Sequence, residues 1–360
     1  MNIVQEALNG RKGINQGLII GSPKLNEDLG GLCEGAYIGI ASEPKCGKST
    51  LVISEFILQV YLNNPDKNIK WIFYSFEINR TIMAFKFASF FIQKDYEESL
   101  SVNYLIGRAK DKNKKPIFIS DKHLEYLKVI QEKYIKPLFG EYENNIQTKE
   151  GKIIFFDKAQ TCEEINEYLK TVADKYGVTY YEDYEVKVNG KINIEKKFSK
   201  YIKHSDSPHI ILIIDHMRKL KRSVTSKGND IKHSIDLMSS ILAQFAKDYF
   251  WTCIAVIHMN RTSTELDRLK YLGSYIFPDG DSIKDSGNLL EDITDLLTIF
   301  NPLNPSYKLT NHFGLNLAQF KDKENYRSVH LVASRYSPCP IHYRFNFNGT
   351  SGMFTDFEEK

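Results

Sequence analysis

A nine-residue segment, SEPKCGKST at positions 42–50, has the residue types and spacing of a loop that binds phosphate groups. Gly47, Lys48 and Ser49 follow one another between an apolar run of strand length and a stretch whose apolar residues recur at helical spacing. In such a turn, backbone N–H groups and the start of the helix face phosphate oxygens. The lysine adds positive charge near the β- and γ-phosphates, and the serine can bind Mg²⁺. The segment therefore predicts a site for ATP and Mg²⁺.

All residues of this segment are predicted to contact the nucleotide, namely Ser42, Glu43, Pro44, Lys45, Cys46, Gly47, Lys48, Ser49 and Thr50. Ser42 stands where the pattern usually begins with glycine. Lys48 is also predicted to act in catalysis, because its ammonium group would offset the charge that develops during phosphoryl transfer. A chance turn is the alternative, and the flanking strand and helix disfavour it.

Two carboxylates end apolar runs elsewhere in the sequence: Asp215 ends IILIID, and Glu77 ends WIFYSFE. A P-loop needs a second group that organises Mg²⁺ at the end of a neighbouring buried strand, so we predict that Asp215 and Ser49 bind the metal. His216 follows Asp215 where many P-loop ATPases carry a glutamate, so Glu77 is predicted to activate the attacking water. A solvated glutamate at a strand end is the alternative for Glu77.

The wider pattern alternates apolar runs of strand length with amphipathic helical stretches, which predicts an α/β fold with a mostly parallel twisted sheet flanked by helices. We predict strands at 36–42, 71–77, 153–157, 210–215, 253–259, 296–300 and 329–334. Two segments interrupt the pattern: a Lys-rich helical excursion at about 95–150, and a β-hairpin insertion at about 178–208 with Asn189-Gly190 at its turn.

Length and composition indicate one main domain, because 360 residues with 42% hydrophobic content allow a full-sized core. We expect an ATPase domain at 13–360 preceded by a short arm at 1–12. The five cysteines form no C-x-x-C pair, which disfavours a disulfide framework and a structural zinc site and favours a reducing cytoplasm. The sequence contains neither a signal peptide nor a run of about 18 apolar residues, so we predict no membrane association.

From about Gly13 to Phe354, the motifs resemble in order the RecA-like P-loop NTPase core of phage and bacterial DnaB-type replicative helicases. GLIIGSPKLNEDLGGLCEGAYIGIASEPKCGKST looks like the family's entry segment and Walker A motif. YSFEIN is similar to the strand with the catalytic glutamate, and ILIIDHMRKL resembles Walker B. CIAVIHMNR, DSIKDSGNLLEDITDLLTIF and VASRYSP match the later motifs. Only about a dozen residues precede this core, so we expect a motor without the family's N-terminal domain.

The resemblance implies roles for two further residues. His258 occupies the position that senses the γ-phosphate, and Arg335 occupies that of an arginine finger acting on the neighbouring subunit's nucleotide. Ala333 departs from the family, which usually carries a lysine there. By the residues alone, a satisfied core histidine and a solvated arginine are the alternatives. The resemblance also implies a homo-oligomer, expected to be a hexamer, with single-stranded DNA and a primase or helicase loader as partners.

Two loops that face the central channel of a RecA-type ring carry positive charge in this sequence. The first, residues 218–234, contains six Lys or Arg residues and one Asp, a density suited to phosphate contacts. The second, from Arg261 to about Asp285, mixes cations with tyrosines and acidic residues. The predicted DNA-binding residues are Arg218, Lys219, Lys221, Arg222, Arg261, Arg268 and Lys270. A solvated charged face is the alternative for both loops.

The sequence thus predicts an ATP-dependent replicative DNA helicase or translocase that acts on single-stranded DNA as a ring oligomer. Two other readings stay open. One is a RecA-like recombination ATPase that forms filaments on DNA, and the other is a regulatory or assembly ATPase without helicase activity.

Overall fold

The computed structural model describes residues 3–11, 16–143, 146–188, 191–222, 231–259, 270–280, 283, 287–320 and 325–358. The helices within these ranges are α1 (Ile3–Arg11), α2 (Pro23–Leu29), α3 (Lys48–Leu51), α4 (Gln59–Asn63), α5 (Arg80–Tyr96), α6 (Val102–Leu105), α7 (Asp121–Ile130), α8 (Lys136–Phe139), α9 (Cys162–Tyr176), α10 (Ile231–Tyr249) and α11 (Gly287–Asp292). A π-helical segment, Val52–Leu58, joins α3 to α4, and a second, Gln131–Ile135, joins α7 to α8. None of the helices in the described ranges is long and apolar enough to cross a membrane.

The strands in the same ranges are β1 (Tyr37–Ser42), β2 (Ile69–Ser75), β3 (Gly140–Glu143), β4 (Ile146–Glu150), β5 (Ile153–Phe156), β6 (Gly177–Val188), β7 (Lys191–Lys203), β8 (His209–Asp215), β9 (Thr252–His258), β10 (Asp295–Phe300), β11 (Asn311–His312), β12 (Leu315–Asn316), β13 (Arg327–Ser334), β14 (Ile341–Asn348) and β15 (Met353–Asp356). Nine of them form the main sheet in the order β15-β14-β13-β10-β1-β9-β8-β2-β5. From β10 to β5 all neighbours pair in parallel, and β13, β14 and β15 add an antiparallel edge.

The hydrophobic core lies in two layers, one on each face of the sheet. Alternate side chains of a strand point to opposite faces, so Ile38 and Ile40 of β1 join one layer while Tyr37 and Ala41 join the other. The first layer is covered by the helix that follows β1 and by α5. The second is covered by α9 and α10. This is the arrangement that a strand-helix alternation produces, since each connection between parallel strands crosses one face.

The predicted α/β architecture is confirmed, and each predicted strand corresponds to one of β1, β2, β5, β8, β9, β10 and β13. The hairpin insertion is present as β6 paired with β7 over 12 and 13 residues. The Lys-rich excursion was expected to be helical throughout, but it ends in a second hairpin, β3 with β4. Gly140, with φ +86°, begins this hairpin directly after α8, and the helical prediction overlooked that break.

A buried carboxyl group supports the first layer directly behind the P-loop helix. Glu55 is 1% exposed, and its Oε2 accepts the backbone N–H of Ser22 at 2.7 Å. Its Oε1 accepts the hydroxyl of Ser54 at 3.3 Å. Burial raises the pKa of Glu55 to about 8. At neutral pH this carboxyl group is therefore mostly protonated in the folded protein, and it holds the segment before α2 against the helix.

The raised pKa of Glu55 makes a pH-dependent contribution to stability. Between the unfolded pKa of about 4.3 and the folded pKa of about 8, the folded state holds one more proton than the unfolded chain. The free energy of unfolding should thus fall as pH rises through this window, by at most about 1.4 kcal/mol per pH unit from this group. Glu55→Gln should remove that component in urea denaturation across the window, and Glu125→Gln on the surface should retain it. A Glu55→Gln profile parallel to wild type would contradict the assignment.

Candidate active site

The phosphate-binding loop connects the end of β1 to the start of α3 in a conformation that requires glycine. Gly47 has φ +106° and immediately precedes the helix at Lys48. A Cβ atom at this position would lie 3.3 Å from the ring of Phe354 and would sit in a backbone region that other residues rarely adopt. The turn at Gly47 thus sets the direction in which the first helical N–H groups point.

The ammonium group of Lys48 is folded back onto its own loop. Its Nζ donates to the carbonyl oxygens of Ser42 at 3.0 Å and Glu43 at 3.1 Å, and it lies 3.4 Å from Nδ1 of His258. An ammonium can only donate, so Nδ1 of His258 is the acceptor in this contact. Burial lowers the pKa of Lys48 to about 8. The side chain is therefore a weakly stabilised cation held close to where a bound phosphate would lie.

Asp215 and Ser49 meet at the carboxyl edge of the sheet. The hydroxyl of Ser49 donates to Oδ1 of Asp215 at 3.0 Å, and Asp215 is 2% exposed. Burial is the main cause that raises the pKa of this aspartate to about 6, and the bond from Ser49 opposes the shift. Adjacent oxygen ligands of an octahedral Mg²⁺ ion are also about 3.0 Å apart. The two oxygens thus have the chemistry and spacing that a magnesium ion needs.

Glu77 lies two residues beyond β2, the strand next to β8, and faces the same edge of the sheet. Its Oε2 is 3.3 Å from Nε2 of His216, which is also 3.5 Å from Oδ1 of Asp215. Its Oε1 is 3.6 Å from Nζ of Lys219. Burial and the nearby Lys48 charge lower the pKa of His216 to about 4, so this imidazole is neutral at neutral pH. The side chain of Glu77 remains 42% exposed, which leaves it open to water.

One nitrogen or oxygen each from Glu77, His216 and His258 lies within 4.8 Å of the others, as in a metal site. The two imidazole rings, however, stack with centroids 4.2 Å apart and an interplanar angle of 20°. Ligand lone pairs lie in the ring planes, so nearly parallel rings cannot direct them at one ion. Burial also lowers the pKa of His258 to about 4. We therefore assign the metal to Ser49 and Asp215, whose oxygen atoms suit Mg²⁺ better than imidazole nitrogens.

Two residues that the sequence interpretation missed support the loop from outside. Arg327 is buried at the start of β13, and its Nε donates to the carbonyl oxygen of Cys46 at 3.0 Å. The hydroxyl of Tyr307 donates to Oε1 of Glu43 at 2.7 Å. Both partners lie more than 260 residues away along the chain, so no local pattern indicated them. The only signal for Arg327 was an arginine directly before an apolar run.

A cavity of about 310 Å³ opens beside Thr50, the last residue of the phosphate-binding segment. Lys86 on α5 and Ser351 in the turn between β14 and β15 line it, with Asn103 of α6. The Ser351 hydroxyl is buried and makes no hydrogen bond to any described residue. Burial also lowers the pKa of Lys86. The cavity thus offers polar groups that a nucleoside could satisfy.

The structure does not bring Arg335 to the phosphate-binding loop of its own chain. Its backbone N–H donates to the carbonyl of Thr294, and its guanidinium donates to the carbonyl of Glu291 at 2.7 Å. Arg327 and Arg335 lie at opposite ends of β13, separated by roughly 26 Å of strand. Any action of Arg335 on a nucleotide must therefore be on that of another chain.

The predicted DNA-binding residues are only partly within the described ranges. Arg218 and Lys219 lie in a single 3-10 turn, Met217–Lys219, directly after His216. Lys221 and Arg222 follow on the surface, and Lys270 is exposed. Arg261 and Arg268 lie outside the residues that the structure describes. The first basic segment thus begins at the active site.

Comparisons of the sequence with known proteins find no relative. No model of a protein family and no curated protein matches this chain. Any likeness to known proteins therefore has to be sought in the fold.

Solved structures agree with this arrangement at the level of the fold. The structure is similar to that of a DnaB-like replicative helicase studied for its interactions with primase, with a TM-score of 0.64, 14% identity and coverage of 99% of this chain. This chain spans 65% of the length of that helicase. The structure is also similar to the ATPase domain of a second helicase, with a TM-score of 0.63, 16% identity and 99% coverage of both chains. The predicted resemblance is confirmed: the chain has the RecA-like fold of replicative helicase ATPase domains.

Proposed function

We propose that this protein is an ATP-hydrolysing motor that moves along single-stranded DNA as a ring-shaped oligomer. The observation that carries the proposal is the meeting of Lys48, Ser49, Asp215 and Glu77 at one edge of the sheet. Such a set supplies a phosphate-binding cation, two metal ligands and a base for water, which are the parts that phosphoryl transfer to water requires. The similarity in fold to helicase ATPase domains supports the helicase-type motor.

ATP would enter with its phosphates against the first N–H groups of α3. Lys48 would exchange the carbonyl oxygens of Ser42 and Glu43 for β- and γ-phosphate oxygens, which are stronger acceptors. Ser49 and Asp215 would hold Mg²⁺, which supplies charge neutralisation of the phosphates when bound. The nucleoside would extend past Thr50 into the adjacent cavity. This assignment gives a partner to the buried Ser351 hydroxyl, which has none among the described residues.

Glu77 is the group placed to take a proton from water. Its carboxylate is solvent-accessible, and neutral His216 beside it does not compete for that proton at neutral pH. His258 contacts Lys48, so movement of the lysine onto a phosphate would change the environment of His258. Lys219 contacts Glu77 and lies in the basic segment 218–222. These contacts give DNA and nucleotide a shared set of residues, and we assign His258 and Lys219 to their coupling.

We further propose that Arg335 completes the nucleotide site of the neighbouring subunit, as in a hexameric ring. Its position at the opposite edge of the sheet from its own phosphate-binding loop supports this role. Contacts of this head-to-tail kind close into rings when the rotation between subunits permits. A primase or helicase loader is proposed as a further partner, because one structural relative was studied with primase.

The base assignment is tested by Glu77→Gln with Asp157→Asn as the control. Asp157 also follows a parallel strand of the sheet, but its carboxylate accepts the backbone N–H of Arg80. Glu77→Gln should retain ATP binding and lower turnover by about a hundredfold or more, since general base catalysis contributes about that factor. Asp157→Asn should stay near wild type. Steady-state ATPase rates with and without single-stranded DNA measure this effect. Strong DNA stimulation of the wild-type rate is expected, and its absence would favour a regulatory ATPase.

A pH profile tests the role of Lys48. In the nucleotide-free protein its pKa is about 8, and a bound triphosphate favours the charged form. Above that pH, binding must take up a proton, so affinity for a non-hydrolysable ATP analogue should fall by up to about tenfold per pH unit. Lys48→Arg stays charged and should bind with a flat profile, even if more weakly. Equal slopes for the two proteins would place this ammonium away from the phosphates.

Mixed oligomers test the shared active site. Lys48→Ala and Arg335→Ala chains should each be inactive alone. In a random equal mixture, about a quarter of the interfaces would pair an intact loop with an intact finger, and those interfaces should hydrolyse ATP. Ala333 replaces a lysine usual in the family, so recovery measures how strongly the sites are coupled. If subunit exchange is demonstrated and the mixture stays inactive, Arg335 does not act on a neighbouring nucleotide.

A further inference from the structure

A short loop between α6 and α7, outside the proposed active site, displays a high density of positive charge. We name residues 108–115, RAKDKNKK, the basic loop. It contains five Lys or Arg residues and a single acidic residue, Asp111. Arg108 and all four lysines are exposed. The local charge is therefore strongly positive in a chain whose formal net charge is only +3.

The acidic residue of the basic loop is used to fix its shape. Oδ1 of Asp111 accepts the backbone N–H groups of Asn113 and Lys115, each at 2.8 Å. The N–H of Asp111 donates to the carbonyl of Lys115 at 2.9 Å, and Lys114 adopts φ +62°. An aspartate that closes a turn in this way holds its backbone in one conformation. The loop thus presents its cations on an ordered turn, which lowers the entropy cost of binding.

The lysines of the surrounding excursion differ from those of the basic loop in their partners. Around α7 and α8, lysine side chains pair with carboxylates, in the pairs Lys122–Glu98, Lys128–Glu125, Lys133–Asp95 and Lys136–Glu132. Within the described ranges, the four lysines of the basic loop and Arg108 form no such ion pair. A Lys-rich surface that only needed to be solvated would show the same pattern throughout. The difference indicates that the basic loop keeps its charges available for an external anion.

An aromatic side chain and the nucleotide cavity lie next to the basic loop. Phe118, three residues beyond the loop, is 76% exposed, which is unusual for a ring of this size. The carbonyl of Asn103 accepts the N–H groups of Arg108 and Ala109, and Asn103 also lines the cavity beside Thr50. The loop is therefore attached to the rim of the proposed nucleotide site. Cations next to an exposed aromatic ring form the combination with which proteins hold single-stranded nucleic acids.

We propose that the basic loop and Phe118 form a second contact site for single-stranded DNA, separate from the segment 218–222. The lysines would contact phosphates without regard to sequence, and the ring of Phe118 would stack on a base. An acidic protein would also meet the charges, but it would leave the exposed ring without a partner. Single-stranded DNA satisfies both features. The choice of DNA rests on the proposed function, although the loop itself is independent of the ATPase residues.

The test compares two variants with the same change in charge. The loop variant replaces Lys110, Lys112, Lys114 and Lys115 with glutamine and keeps Asp111, so that the turn can still form. The control variant replaces four exposed lysines that are scattered over the surface, namely Lys24, Lys67, Lys170 and Lys247. Affinity for oligo-dT is measured against salt concentration. The loop variant should lose up to about 3 from the slope of log affinity against log salt, at about 0.7 per phosphate contact.

The control variant should keep the wild-type slope, and Phe118→Ala should weaken binding by about five- to tenfold with little change in slope. A loop-variant slope equal to that of wild type, or a control variant that loses as much, would overturn the proposal. Binding of poly-glutamate that the loop variant loses while its DNA binding is unchanged would assign the loop to an acidic protein. Wild-type protein without affinity for oligo-dT would overturn both this proposal and the proposed DNA motor. Wild-type binding with an unchanged loop-variant slope would leave the motor standing and remove only the second site.

Discussion

Parallel pairing of β1 with β9 and of β2 with β8 is the constraint on which the candidate site depends. The pairing sets Ser42 beside His258 and Ser75 beside Asp215, so the carboxyl ends of four strands meet at one edge. Residues from distant parts of the sequence are thus brought within hydrogen-bonding distance before any ligand is present. Open α/β sheets bind their ligands at this edge for the same reason. A shift of one residue in either register would move Asp215 away from the phosphate-binding loop.

The same edge keeps its charges in a state that a nucleotide can change. Burial lowers the pKa of Lys48 and raises that of Asp215, so each group loses part of its preference for the charged form. A triphosphate with Mg²⁺ would supply the opposite charges that both groups need. The site is then most stable when occupied, because the cost of burying the two charges is offset by the ligand rather than by the protein.

The sequence predicted those parts of the fold and site that depend on local pattern. Apolar runs identified the parallel strands, and the order of strand, Gly47-Lys48-Ser49 and helix identified the loop. The antiparallel edge strands β14 and β15 were missed, because their polar and apolar residues alternate and no helix separates them. Arg327 and Tyr307 were missed because their contacts join distant segments. The turn that Asp111 closes was also missed, since its spacing is common in loops.

The bond from Arg327 to the loop has a consequence for how this sequence can vary. Arg327 holds the carbonyl oxygen of Cys46, and Lys48 holds the carbonyl oxygens of Ser42 and Glu43. Every residue type provides that oxygen. The side chains at these three positions can therefore change over evolutionary time while the bonds that shape the loop persist, and a serine in place of the usual first glycine is one result of that tolerance.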